Sequence, residues 1–320
     1  MVLESSQTSS NEKAPIFKAM GMKMILLLVT LNILVPCVAF MSKSFDIRHT
    51  ERENTRLFQS PDRRDTIKIL GSIPVGILAG PSLAEDQQKS VLESRLVENS
   101  LQPPPYGMEG SDVFYPSWFE GRWKVASTCN EVQAPCGNLL FGGNQTFAAA
   151  QKEVGNTTLY ESRFLRTQND NVVADREFNV RSIAKAAMGS NSVLDIPLST
   201  PNKMTCILAP EGAPTNLRVD LLILNRLQEP APTPTQFFCS EVARQIVAPL
   251  GSAGAPSATL LKEIETISLY EQIGDVVTCR QRSATFLLPS QQNPQATYLW
   301  QASRGRPIDV RFYTVKYTKV

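Results

Sequence analysis

Histidine is the first chemistry-bearing residue type to drop out. The chain's one histidine is His49, so residues 50–320 carry no imidazole. That removes Ser/His/Asp and Cys/His nucleophiles, imidazole proton transfer and histidine-ligated metals from most of the sequence. Carboxylates and phenols remain. Asp175 and Glu177 lie in "ADRE" and Glu263 and Glu265 in "KEIE"; with Tyr270 or Tyr313 as proton donor they could serve acid–base catalysis. Solvent-facing strand charge is the preferred reading of both motifs. No catalytic residue, metal ligand or cofactor is assigned, and an enzyme is not expected.

The cysteines after residue 100 are Cys129, Cys136, Cys206, Cys239 and Cys279, with no C-x-x-C among them. Zinc and thioredoxin-type chemistry therefore have no support. Cys129 and Cys136 bracket "NEVQAP" and could close a small disulfide loop, although buried reduced thiols explain them equally well. Asn144 and Asn156 begin glycosylation sequons, a pattern common by chance.

The first 84 residues read as targeting rather than fold. Lys23 precedes an apolar run over Met24–Val35, shorter than the roughly 20 residues a membrane span takes. Cys37-Val38-Ala39 supplies a cleavage ending before Phe40. Residues 40–62 are rich in Ser, Arg and Thr. Then come Arg63 and Arg64, a mildly apolar segment with three glycines, and the small-residue ending Ser82-Leu83-Ala84. The order resembles the leaders of thylakoid-lumen proteins in secondary-plastid algae such as diatoms: signal peptide (1–39), plastid transit segment (40–62), twin-arginine signal (63–84). The address that resemblance implies is the plastid thylakoid lumen, with a mature chain from Glu85. Ten basic and seven acidic residues precede Glu85, leaving 22 and 23 in residues 85–320. Such a near-neutral balance without a basic block argues against nucleic acid. The longest apolar run there, Leu221–Leu224, suits a strand, so no membrane-spanning segment is expected.

Any site must be positioned by the elements of residues 85–320. Residues 85–112 suggest a short helix and a Pro103-Pro104-Pro105 tether. From Val113 the hydrophobic period changes to two. Strands are expected at 121–129, 157–167, 171–178, 192–198, 203–209, 217–228, 236–239, 261–271, 276–288 and 307–318, with helices at 180–188 and 240–247. About ten strands with one or two short helices imply a mainly β domain, an antiparallel barrel over 113–320. Gly274-Asp275 suits a two-residue hairpin turn. That register sets Leu269 opposite Arg280 and Ile267 opposite Arg282, with Glu265 diagonal to Arg282. A one-residue slip would move both arginines to the other face.

Gly121-x-Trp123, at the start of the first strand, resembles the entry motif of lipocalins and related calycins. In that family a tryptophan closes one barrel end against an arginine of the last strand, which implies Gly121, Trp123 and Arg311 as barrel-closing residues here. Trp118, Arg280, Arg282 and Glu265 are the candidate ligand contacts. The motifs "YPSWFEGRW", "VADREFNVRSIAKA", "PNK", "SEVARQI", "KEIETISLY" and "RPIDVRFY" together resemble an uncharacterised domain family of cyanobacteria, algae and plant plastids. That resemblance implies a photosynthetic setting and no particular activity.

Three functions are open to such a chain. The first is a non-enzymatic lumenal auxiliary protein, an assembly or structural factor docked on a photosystem or another thylakoid complex. A lipocalin-like carrier of a pigment, quinone or lipid ranks second, and a carboxylate-dependent enzyme on a pigment or lipid is a distant third.

Overall fold

A computed structural model describes residues 90–97, 112–210, 215–250, 260–290 and 294–320. The leader, with Arg63 and Arg64, the proline tether and the "GSAGAPSA" loop lie outside the described residues. Ten strands form one antiparallel sheet: β1 Gly121–Gln133, β2 Thr157–Arg166, β3 Val172–Ala174, β4 Val193–Ser199, β5 Lys203–Leu208, β6 Leu217–Glu229, β7 Gln236–Pro249, β8 Leu260–Ile273, β9 Val276–Leu287 and β10 Asp309–Lys319. The helices are α1 Val91–Val97, α2 Asn138–Phe141, α3 Asn144–Gln151, α4 Arg176–Met188 and α5 Pro294–Ser303, with a 3-10 turn at Ser117–Phe119.

The sheet order is β3-β2-β1-β10-β9-β8-β7-β6-β5-β4. Sequential hairpins build it from β4 to β10, and β10 then pairs with β1. This is the order of a barrel cut between β3 and β4, and the sheet curls into a half-barrel. The β8–β9 turn is Gly274-Asp275, with Gly274 at φ 59°, and its register sets Leu269 opposite Arg280 and Ile267 opposite Arg282 as expected. Gly121 sits at φ 118°, a conformation L side chains rarely adopt, which explains the glycine of the G-x-W motif.

Helix α4 lies at the cut. Asp175 caps it, its carboxylate accepting from the Phe178 N–H at 3.1 Å. Val180, Ala184 and Met188 pack on Met204, Cys206 and Leu208 of β5 and on Val219 of β6. The same helix serves the bare edge of β2. The Asn179 amide accepts from the Arg163 N–H at 2.7 Å and donates to its carbonyl at 3.2 Å, and Ser182 Oγ accepts from the Glu161 N–H at 2.8 Å. Side chains of a helix thus stand in for the missing strand. On the convex face α1 covers the middle of the sheet, burying Leu92 and Leu96 against Phe238, Ile267 and Leu269.

Two sequence expectations are corrected. Residues 240–247 form the interior of β7 rather than a helix, because pairing with β6 and β8 on both sides overrides the helix propensity of Glu, Ala, Arg and Gln. Residues 171–178 carry only three strand residues before α4 begins. Helices α2, α3 and α5 are additions to the expected set.

Candidate functional site

The concave face encloses a cavity of about 200 Å³. Strand alternation selects its walls. Ala243 of β7, Thr266 of β8 and Gln281 of β9 point inward from the three strands at the middle of the sheet, and each is only half-buried. Their convex-face neighbours Val242, Ile267 and Arg282 are buried. Accessible surface on the inward side chains of central strands is the mark of the void. Helix α4 supplies one wall through Asn179, Val180 and Ile183, while exposed Thr200, Pro201 and Lys203 place the mouth at the β4–β5 turn.

One end of the cavity is aromatic. Tyr115 packs against Phe164, Phe119, Phe237 and Tyr270 with ring centroids 4.8, 5.2, 5.3 and 6.2 Å away, and Tyr270 lies 6.0 Å from Tyr317. Four lining tyrosines, Tyr115, Tyr160, Tyr270 and Tyr317, are held above the ordinary phenol pKa, chiefly by burial. They are neutral phenols rather than phenolates. Burial likewise pushes up the lining thiol of Cys239, so it is not a poised nucleophile.

Beside the aromatic end lies a charge-balanced network, in which the buried Arg176 Nε is left without a hydrogen-bond partner among the described residues. Arg176 donates to Asp112 at 2.7 Å and to Glu241 at 3.0 Å, and Arg226 donates to Glu241 at 2.9 Å and to Asn202 Oδ1 at 2.6 Å. Burial works to raise the Glu241 pKa, but the two arginines outweigh it and hold the carboxyl below its ordinary value. Two cations meet two anions, so the network is balanced.

Aliphatic side chains, among them Val180, Ile183, Met204, Leu221, Ile223 and Ile264, line much of the rest, with a few polar groups between them. Among the described residues, the side chains of Tyr160, Thr266 and Gln281 make no hydrogen bond, and neither does the Tyr115 hydroxyl. None of these four groups is a fully buried unpaired atom: they face the accessible space of the cavity, where a guest or water can pair them. The arrangement can bind through hydrogen bonds and ring contacts. It holds no matched acid–base pair, since Glu241 is the one carboxylate among the cavity-lining residues and is tied up by arginine.

The residues singled out from sequence lie elsewhere. None of Trp118, Arg280, Arg282 and Glu265 lines the cavity. The register is the expected one, but Arg280, Arg282 and Glu265 have the parity of the convex face. Arg282 is fully buried and donates to Glu265 at 3.1 Å, and Glu265 also accepts from Arg95 of α1 at 2.8 Å. Arg280 is exposed beside Glu93 at 3.4 Å. Trp118 stacks on Phe119 and donates to the Pro234 carbonyl at 3.3 Å. Glu263 and Glu265 are not solvent-facing: both are buried, Glu263 against Arg244 at 2.6 Å. Asp175 is the α4 cap and pairs with Arg163, while Glu177 meets Arg181 on the helix surface.

Trp123 is buried in β1, and its Nε1 donates to the Phe119 carbonyl at 2.7 Å. The cation over its ring is Lys319, at 5.5 Å, not Arg311. Antiparallel pairing sets Trp123 opposite Lys319 and Arg311 opposite Val132, near the other end of β1. Arg311 lies over Phe141 of α2, chelates Asp309 at 2.9 and 3.0 Å and reaches Glu153 at 3.4 Å. Cys129 and Cys136 are free thiols, as are Cys206, Cys239 and Cys279, which matches the reduced-thiol alternative and not the disulfide loop. Burial pushes the Cys129 thiol up to about 11.

Sequence reasoning missed Arg176, Glu241, Tyr160 and Gln281. The strand parity of Glu241, Tyr160 and Gln281 was available from the alternation, but which face encloses a void depends on the curl of the whole sheet.

Fold and cavity together define a class: a curled antiparallel β protein with a balanced, aromatic-walled interior site. The chain belongs to the family called domain of unknown function DUF6816, whose match covers residues 107–320. No curated protein and no solved structure matches it.

Proposed function

We propose that this is a non-enzymatic binding protein of the thylakoid lumen, a carrier that holds a small lipophilic molecule inside the half-barrel. The address is supported by the leader over residues 1–84 and by the family resemblance. Carriage, rather than docking on a photosynthetic complex, is supported by one observation: an interior cavity whose lining hydroxyls and amide lack intramolecular partners. A pure docking factor has no use for an interior void with partnerless polar groups on its walls. Size limits the guest, since a void of about 150 Å³ is enough for benzene. A single ring or a head group fits about 200 Å³, and a tetrapyrrole does not.

The test is the absorbance spectrum and solvent-extract mass spectrum of the tagged full chain, purified from its own thylakoids in mild detergent. Carriage predicts one small molecule in stoichiometric amount on the free protein. An empty protein co-migrating with a photosystem would overturn carriage and return the docking reading to first place.

A further inference from the structure

The lining narrows the chemistry of the guest. We propose that the cavity selects an uncharged, one-ring molecule with hydrogen-bonding oxygens, of the phenol, quinol or quinone class; this rests on the carrier reading above. Three features carry it.

Charge comes first. The full charges that line the cavity inside its mouth are Arg176 and Glu241, and with Asp112 and Arg226 they neutralise one another at 2.7–3.0 Å. Lys203 is the remaining lining cation, and it stands exposed at the mouth, where water screens it. An anionic or cationic guest would enter without a counter-charge and lose its hydration, a large penalty for an unpaired ion. A carboxylate would also have to break into a network in which each arginine already has acid partners.

The second feature is the free polar set. Tyr115, Tyr160, Thr266 and Gln281 offer three hydroxyls and one amide, all neutral and all able to donate; the hydroxyls and the amide carbonyl also accept. They suit carbonyl or hydroxyl oxygens, and a plain hydrocarbon would leave every one of them unpaired and out of water.

Shape is the third. The aromatic end, built on Tyr115, Phe164, Tyr270 and Tyr317, offers ring faces and edges at contact spacing, and the volume admits one ring. The open mouth at Thr200–Lys203 lets an apolar tail run out past α4 while the head group stays inside.

The deciding experiment titrates the full chain with three one-ring probes of similar size and different charge: hydroquinone, benzoate and benzylammonium. Saturation-transfer NMR and calorimetry read the binding. Hydroquinone is expected to bind at least about tenfold more tightly than either ion, because only the ions lose hydration without a partner. Gln281→Leu and Tyr160→Phe should each weaken hydroquinone about fivefold or more while leaving the melting temperature within a few degrees. Thr266→Val, which exchanges a hydroxyl for a methyl at nearly constant size, serves if either variant fails to fold. Equal or tighter binding of benzoate or benzylammonium overturns the neutral class and leaves carriage standing. Failure of all three probes while a larger molecule co-purifies overturns the one-ring class alone. Failure of all three with nothing co-purifying overturns both.

Discussion

Glu153 is the residue at which buried charge has the plainest consequence. It lies just past α3, is 3% exposed, and its Oε1 is buried without a hydrogen-bond partner. Burial raises its pKa to about 8; Arg311 opposes the rise, and Asp309 adds to it. The folded protein therefore keeps a proton on Glu153 up to about pH 8, whereas an unfolded glutamate loses it near 4.5. Between those values the folded state binds more protons, so stability falls as pH rises, by at most about 1.4 kcal/mol per pH unit from this group. The melting temperature is expected to fall by up to about 3–5 °C per unit from pH 5 to 8. Glu153→Gln, which keeps the shape and removes the titration, should flatten that slope and melt higher than the parent at pH 8. An unchanged slope in Glu153→Gln would show that Glu153 ionises freely in the folded protein. Sequence could not single this residue out: "QKEVG" reads as a solvated helix end, and only the packing of α2 and α3 under Arg311 buries it.

At the scale of elements, α4 decides whether a cut sheet can enclose anything. Strand β2 pairs with β3 only over Phe164–Arg166, leaving a free edge before it. Asn179 and Ser182 occupy that edge through three hydrogen bonds to backbone. Asn179→Ala removes two of them and strands the Arg163 N–H, while the Arg163 carbonyl keeps the Asp175 N–H at 2.9 Å. The expected loss is about 1–3 kcal/mol in urea unfolding, and Asn179→Asp, which keeps the acceptor, should lose less. Equal stability of Asn179→Ala and the parent would mean that water replaces the side chain and the seam is open. The helix was legible over 180–188, where Gly189 closes it, but not its first turn. "ADRE" is rich in residues at home in strands or caps, and only the Asp175–Phe178 contact shows which applies. "SEVARQI" misleads in the opposite direction, since a strand hydrogen-bonded on both sides tolerates residues that would otherwise favour a helix.

For the whole molecule, β10 is the joint. It pairs with β1 on one side and β9 on the other, connecting β1–β3 to β4–β9. It also carries Tyr317 of the aromatic end and Lys319 over Trp123. Removing residues 309–320 takes out a central strand and exposes two long edges, so cooperative thermal unfolding by circular dichroism should vanish. A truncated chain that still unfolds in one sharp transition would show that the two sets of strands dock without β10.

Alternation, turn chemistry and spacing by themselves determined the mainly β class, the ten strands, the Gly274-Asp275 hairpin and its register, because these are set by neighbours in the chain and by the period-two geometry of a strand. The direction of curl, the cut between β3 and β4, the cation above Trp123 and the cavity walls belong to the tertiary structure. Parity divides a strand's side chains into two sets. Only the closing of β10 on β1 and the seating of α1 and α4 decide which set meets the void. That is why Arg282 and Glu265, paired correctly from sequence, lie under α1, while Gln281, one residue away from Arg282, faces the site.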